Sequence, residues 1–130
     1  MKVTFGLTAK DYSSYRYGYP DGLYKRLIKF NIGLPDQKIL DIGTGTGYLA
    51  RGFAKQGAVV VGLDPSSELI NEAKALDQAQ NVTIDYVVGQ AEELPFENFS
   101  FDVVTAGQCW HWFERNKAAK EVRRVLKVNY

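Results

Sequence analysis

Residues 39–50 read Ile39-Leu40-Asp41-Ile42-Gly43-Thr44-Gly45-Thr46-Gly47-Tyr48-Leu49-Ala50, and this stretch decides the fold. A short apolar run ends in three alternating glycines. Leu49, Ala50, Phe53 and Ala54 then recur at helical spacing, and Gly57 closes the pattern. The sequence therefore specifies a buried strand, a tight loop and a helix. Gly43, Gly45 and Gly47 permit positive φ and close approach of the backbone to a ligand. The helix behind them offers free N–H groups to an anion or carboxylate. A plain strand-to-helix turn needs fewer glycines than this, so the loop reads as a binding loop.

The same alternation continues downstream. Residues 58–63 (AVVVGL) form a continuously apolar, β-branched run, as expected of a strand buried on both faces. Asp64 and Pro65 open a second helix to about Leu76, with Leu69, Ile70 and Ala73 inward. Residues 82–88 and 101–106 read as two further strands, separated by a loop from Gly89 to Phe96. A last helix runs through Val122, Val125 and Leu126. Upstream, Pro20 and Asp21 start a helix with Leu23, Leu27, Ile28 and Ile32 on one face, closed by a turn at Gly33–Asp36. Residues 1–19, rich in tyrosine and without period, read as an irregular arm. This order predicts an α/β fold, a parallel sheet with helices on its faces and right-handed crossovers.

At 130 residues the chain makes one domain, 1–130, with the arm at 1–19 and the α/β core at 20–130. Sixteen basic and fifteen acidic residues leave a net charge of +1, which argues against a phosphate-tracking nucleic-acid binder. The start, MKVTFGLTAKDY, lacks the apolar run expected of a signal peptide, and no stretch approaches the ~20 apolar residues of a membrane span. A lone cysteine, Cys109, offers neither a disulfide nor a metal pair, so no metal site is expected and a cytoplasmic setting is.

Two acids sharpen the ligand. A dinucleotide fingerprint spaces its glycines G-x-G-x-x-G, but here the third glycine comes one residue early. Asp41, two residues before Gly43, disfavours a pyrophosphate and suits a ligand carrying an ammonium or sulfonium cation. Alternatively Asp41 braces the loop by accepting backbone N–H bonds. Asp64 ends the second strand, where a carboxylate can accept hydrogen bonds from both hydroxyls of a ribose. It also fits as a helix N-cap with Pro65 at the first helical position, and both roles can hold together.

These residues resemble the class I S-adenosylmethionine-dependent methyltransferases, through ILDIGTGTGYLA (39–50), VVGLDPS (60–66), GQAEELPF (89–96), FDVVTAGQCWHWF (101–113) and EVRRVLK (121–127). The look is that of small-molecule enzymes of the ubiquinone/menaquinone-biosynthesis and trans-aconitate-like group. The resemblance implies a Rossmann-like sheet of order 3-2-1-4, S-adenosylmethionine as cofactor and a small-molecule methyl acceptor. It implies that Gly43 and Gly45 approach the methionine part, with Asp41 nearby. Asp64 would hold the ribose, Pro65 would pack near the adenine, and Gln90 and Ala91 would meet the adenine edge. The family often has an acid where this chain has Gln90. Gln108 would stand beside the methyl group. All these positions follow strand carboxyl ends, so they converge on one rim, where ligands of open α/β sheets bind.

The segment Gln108–Phe113 holds Trp110, His111 and Trp112. The tryptophans can shape an acceptor pocket or shield a sulfonium, and His111 can take a proton from the acceptor. Equally, the aromatics pack on the sheet and the histidine is structural. Tyr15, Arg16 and Tyr19 either close over the site, with Arg16 on an acceptor carboxylate, or cover the core. The family continues into three more strands, whereas this chain stops at Tyr130. The resemblance therefore implies a truncated sheet with residues 101–106 as a bare edge, open to pairing in a homodimer. Three readings stand: a small-molecule methyltransferase, a truncated inactive cofactor module that self-associates, and a nicotinamide-dependent oxidoreductase, the last disfavoured by glycine spacing and Asp41.

Overall fold

The computed structural model describes residues 3–5, 21–106 and 114–127. Its elements in chain order are β1 (Val3–Phe5), α1 (Asp21–Ile28), β2 (Lys38–Ile42), α2 (Tyr48–Lys55), β3 (Val59–Asp64), α3 (Ser67–Ala79), β4 (Asp85–Val88), β5 (Val103–Ala106) and α4 (Arg115–Val125). The strands form one sheet in the order β1-β5-β2-β3-β4, and every pairing is parallel. The four strands read from the sequence thus stand in the order 3-2-1-4, with helices on the faces.

Side-chain alternation divides the core into two layers. Leu40, Ile42, Val61, Leu63, Val104 and Ala106 face one side and pack against Ala118, Val122 and Val125 of α4. Ile39, Val60 and Val103 face the other, against Tyr24 of α1 and Leu49, Ala50 and Phe53 of α2. Helices α1 and α2 lie so close that a Cβ at Gly52 would collide with the Tyr24 ring. The Tyr24 hydroxyl donates to the carbonyl of Leu49 at 3.1 Å, so the contact is both apolar and directional. Among the described residues no helix is long and apolar enough to cross a membrane.

Several expectations change. The arm is not irregular throughout, because Val3–Phe5 pairs with β5 in the register Thr4↔Thr105. That pairing corrects the expectation of a bare edge at residues 101–106 and removes the ground for a homodimer through it. The strand itself starts later, at Val103, while Phe101 bridges to Leu126. The strand expected at 82–88 begins at Asp85, because the Val82 N–H turns back to the carbonyl of Asp77 around Asn81 at φ 56. Helix α1 ends at Ile28 rather than near Ile32, where Asn31 at φ 63 lets the Ile32 N–H reach the Leu27 carbonyl. The cap of α3 is Ser66, whose hydroxyl accepts from the Leu69 N–H, and not Asp64.

Candidate functional site

Each predicted turn leaves the carboxyl end of a strand, and the sheet order sets β2 between β3 and β5. The chain runs outward from β2 to β3 and β4, then returns to the other side of β2 at β5. The rim beside β2 is therefore the switch point of the sheet.

The glycine loop passes over this rim with Gly43, Gly45 and Gly47 at φ 66, 57 and 84. Only glycine takes three such angles without strain. Among the described residues a Cβ at Gly45 would meet nothing within 4 Å. Its N–H donates to Asp64 Oδ2 at 2.9 Å, and the Ser66 N–H donates to Asp64 Oδ1 at 2.9 Å. Asp64 is 6% exposed, and its carboxylate ties the loop to the start of the next turn. An ionised carboxylate offers about four lone-pair sites. Among the described residues two are used, and two remain.

Asp41 belongs to β2, just ahead of the loop. It lies in register with Thr105, whose hydroxyl donates to Asp41 Oδ1 at 2.7 Å, and it is buried beneath the glycines. Burial pushes its carboxyl up from the ordinary 3.8 to about 6. The hydroxyls of Thr105 and Thr44 oppose that rise, and the neighbouring charge of Asp64 adds to it. A cleft of about 270 Å³ opens beside the loop, lined by Gly43, Leu63, Pro65, Gly89, Gln90, Ala91 and Glu92. Four predicted residues, Gly43, Pro65, Gln90 and Ala91, thus share one wall. Gly45 and Asp64 sit next to it, and Asp41 lies below. Tyr15, Arg16, Tyr19, Gln108, Trp110, His111 and Trp112 lie outside the described residues.

The sequence puts Gly89–Glu92 on this rim without a role for Gly89 or Glu92, and it gives no place in the cleft to Leu63. Leu63 carried a signal, being the last apolar residue before Asp64. Glu92 Oε2 accepts from the Glu114 N–H at 2.9 Å, which fastens the cleft loop to the start of α4. The far end of that loop is held by Arg124, which donates to the carbonyls of Leu94 and Phe96 at 2.9 and 2.7 Å. Arg124 also pairs with Glu121 at 2.7 Å, and this hydrogen bond holds the Glu121 carboxyl below its usual range. Glu121 in turn accepts from the Leu94 N–H at 2.8 Å.

A parallel sheet in this order, with its glycine loop and strand-ending acid at the switch point, defines a Rossmann-like α/β domain. Residues 40–129 match the model of the methyltransferase domain family, and the chain belongs to that family. It is 33% identical over 127 residues to an uncharacterized methyltransferase of Mycobacterium bovis, covering 98% of this chain and 49% of the relative. It is 42% identical over 97 residues to a demethylmenaquinone methyltransferase of Chlorobaculum tepidum, covering 73% of this chain and 38% of that one. Among solved structures, a SAM-dependent methyltransferase from Methanosarcina mazei superimposes with a TM-score of 0.70 at 32% identity, over 77% of this chain and 52% of its own. The chain spans about half the length of these relatives, 49%, 38% and 52%.

Proposed function

We propose that this chain binds S-adenosylmethionine in the cleft beside the glycine loop and carries the cofactor half of a methyl transfer to a small-molecule acceptor. The observation that carries the reading is Asp64. In sequence Asp64 lies between two cleft residues, Leu63 and Pro65, and among the described residues its carboxylate keeps two lone-pair sites after the Gly45 and Ser66 N–H groups are counted. Two vicinal ribose hydroxyls need two acceptors of this kind. The residues fit the rest of the group as well. The cleft, about 270 Å³, lies near the low end of small-molecule pockets at roughly 300 Å³ and suits the adenosyl part. Pro65 supplies exposed apolar surface for a base, and Gln90 supplies an amide for its polar edge. The open face of Gly45 admits the amino-acid end.

When bound, S-adenosylmethionine supplies an electrophilic methyl group, which passes to a lone pair of the acceptor as the S–CH₃ bond breaks and leaves its electrons on sulfur. The chain's own task is alignment and exclusion of water, which proximity rewards strongly. On this reading Gln108 stands beside the methyl group, and Trp110, Trp112, Tyr15, Arg16 and Tyr19 form the acceptor side. His111 receives the proton of an acceptor hydroxyl or amine. Membership of the methyltransferase family favours this over the nicotinamide reading.

The test is calorimetric titration of the 130-residue chain with S-adenosylhomocysteine and, in parallel, NAD. Uptake of the first and not the second is expected. Uptake of NAD alone overturns the proposal.

A further inference from the structure

Beneath the glycine loop lies a polar cluster that no ligand-facing role explains. Strand register places Thr105, Asp41, Gly62 and Tyr86 side by side across β5, β2, β3 and β4, on one face of the sheet. Gly62 is small for a steric reason, because a Cβ there would stand 2.9 Å from both Thr44 Cγ2 and the Tyr86 ring. The gap lets Tyr86 lean under the loop. Its hydroxyl donates to Asp77 Oδ2 at 2.7 Å, from the inward face of α3. Asp77 Oδ1 accepts from Arg51 Nε at 2.8 Å, and the side chains of this ion pair are 4% and 6% exposed. Arg51 Nη2 then donates to the carbonyl of Thr46 at 2.6 Å, inside the glycine loop itself. A Cβ at Gly47 would lie 2.7 Å from the Tyr86 hydroxyl and 3.0 Å from Arg51 Nη2.

We propose that Tyr86, Asp77 and Arg51 are positioning residues, a buried relay that holds the Thr46–Gly47 backbone in the shape that receives the adenosyl cofactor. The inference rests on the cofactor reading above. A buried ion pair is poor evidence for stability alone, because desolvation offsets its attraction. The bond to the Thr46 carbonyl gives the pair a further role: a charged donor fixes a peptide of the glycine loop. The relay also keeps its protons where they are needed. Burial first, then the bond to Asp77, pushes the Tyr86 hydroxyl well above its ordinary range, so it remains a donor. Gly47 keeps its own N–H on the Thr44 carbonyl at 2.8 Å, which reports the loop's shape.

The experiment compares Tyr86→Phe and Arg51→Lys with the unmodified chain. Affinity for S-adenosylhomocysteine is measured by calorimetry well below each melting transition, and exchange of the Gly47 amide by NMR. Both variants are expected to bind about tenfold more weakly, the effect of one lost hydrogen bond to a charged group. Faster exchange at Gly47 should accompany the loss. A merely structural role would lower the melting temperature and leave affinity alone. Binding within twofold of the unmodified chain in folded Tyr86→Phe overturns the relay, as does weaker binding with Gly47 exchange unchanged. Should Arg51→Lys not fold, Tyr86→Phe decides alone. An unmodified chain that takes up no S-adenosylhomocysteine removes the cofactor reading and the relay with it, an outcome distinct from equal binding in chain and variants.

Discussion

At the scale of single residues, Asp41 and Asp64 end adjacent strands and do opposite work. Asp41 is buried, and burial pushes its carboxyl up from 3.8 to about 6. The folded chain therefore binds a proton more readily than the unfolded chain between those values. Stability is full below about pH 4 and falls as pH rises through 6, by about 3 kcal/mol at roughly 1.36 kcal/mol per unit. Asp41→Asn has no such carboxyl. In urea melts, the stability of the unmodified chain relative to Asp41→Asn should fall by about that amount from pH 4 to pH 7. Parallel curves would show that Asp41 does not titrate in this range. Asp64 instead spends its carboxylate on two backbone N–H groups and, as proposed, on a ribose. Asp64→Ala should weaken S-adenosylhomocysteine binding by about 1–3 kcal/mol, the cost of polar groups left unpaired, measured by calorimetry. Unchanged affinity would place the ribose elsewhere.

At the scale of elements, α4 does more than cover the sheet. Arg124 holds the carbonyls of Leu94 and Phe96, Asn98 Oδ1 at 3.0 Å and the Glu121 carboxylate, so one side chain sets the end of the cleft loop. Arg124→Met keeps the stem and removes those bonds. It should cost about 1–3 kcal/mol in a urea melt, and a loss below a few tenths would mean that the loop holds itself. The alternating elements were legible because apolar runs such as 58–63 announce buried parallel strands. Boundaries moved where one side chain had two employers. Asp64 looks like a helix cap, but Gly45 and Ser66 claim it, and the cap passes to Ser66. The family resemblance singles out Gly43, Pro65, Gln90 and Ala91, and all four line the cleft. The Arg51–Asp77 pair was not, since 26 residues separate its members. A local sign existed: Asp77 shares the inward spacing of Ile70 and Ala73, and Arg51 interrupts the apolar face of α2. An acid on one buried face asks for a base on another, but sequence does not say which.

At the scale of the whole molecule, the shortest strand has the largest consequence. Strand β5 is apolar and wholly buried, and β2 covers one of its edges. Its other edge would present unpaired N–H and carbonyl groups, which template association with a second chain. Val3–Phe5 fills that edge, about one hundred residues away in sequence, in a pairing no local pattern announces. The three-residue strand thus acts as a guard, and its backbone is the part that matters. Thr4→Pro removes one N–H and locks φ at about −65°, which weakens a three-residue ladder with few bonds to lose. The unmodified chain should give a sharp monomer mass by light scattering across concentration. Thr4→Pro should gain mass as concentration rises, with little change in the α/β core, because β2, β3 and β4 keep their own pairings. A Thr4→Pro chain that stays monomeric at high concentration would show that β5 is protected by some means other than Val3–Phe5.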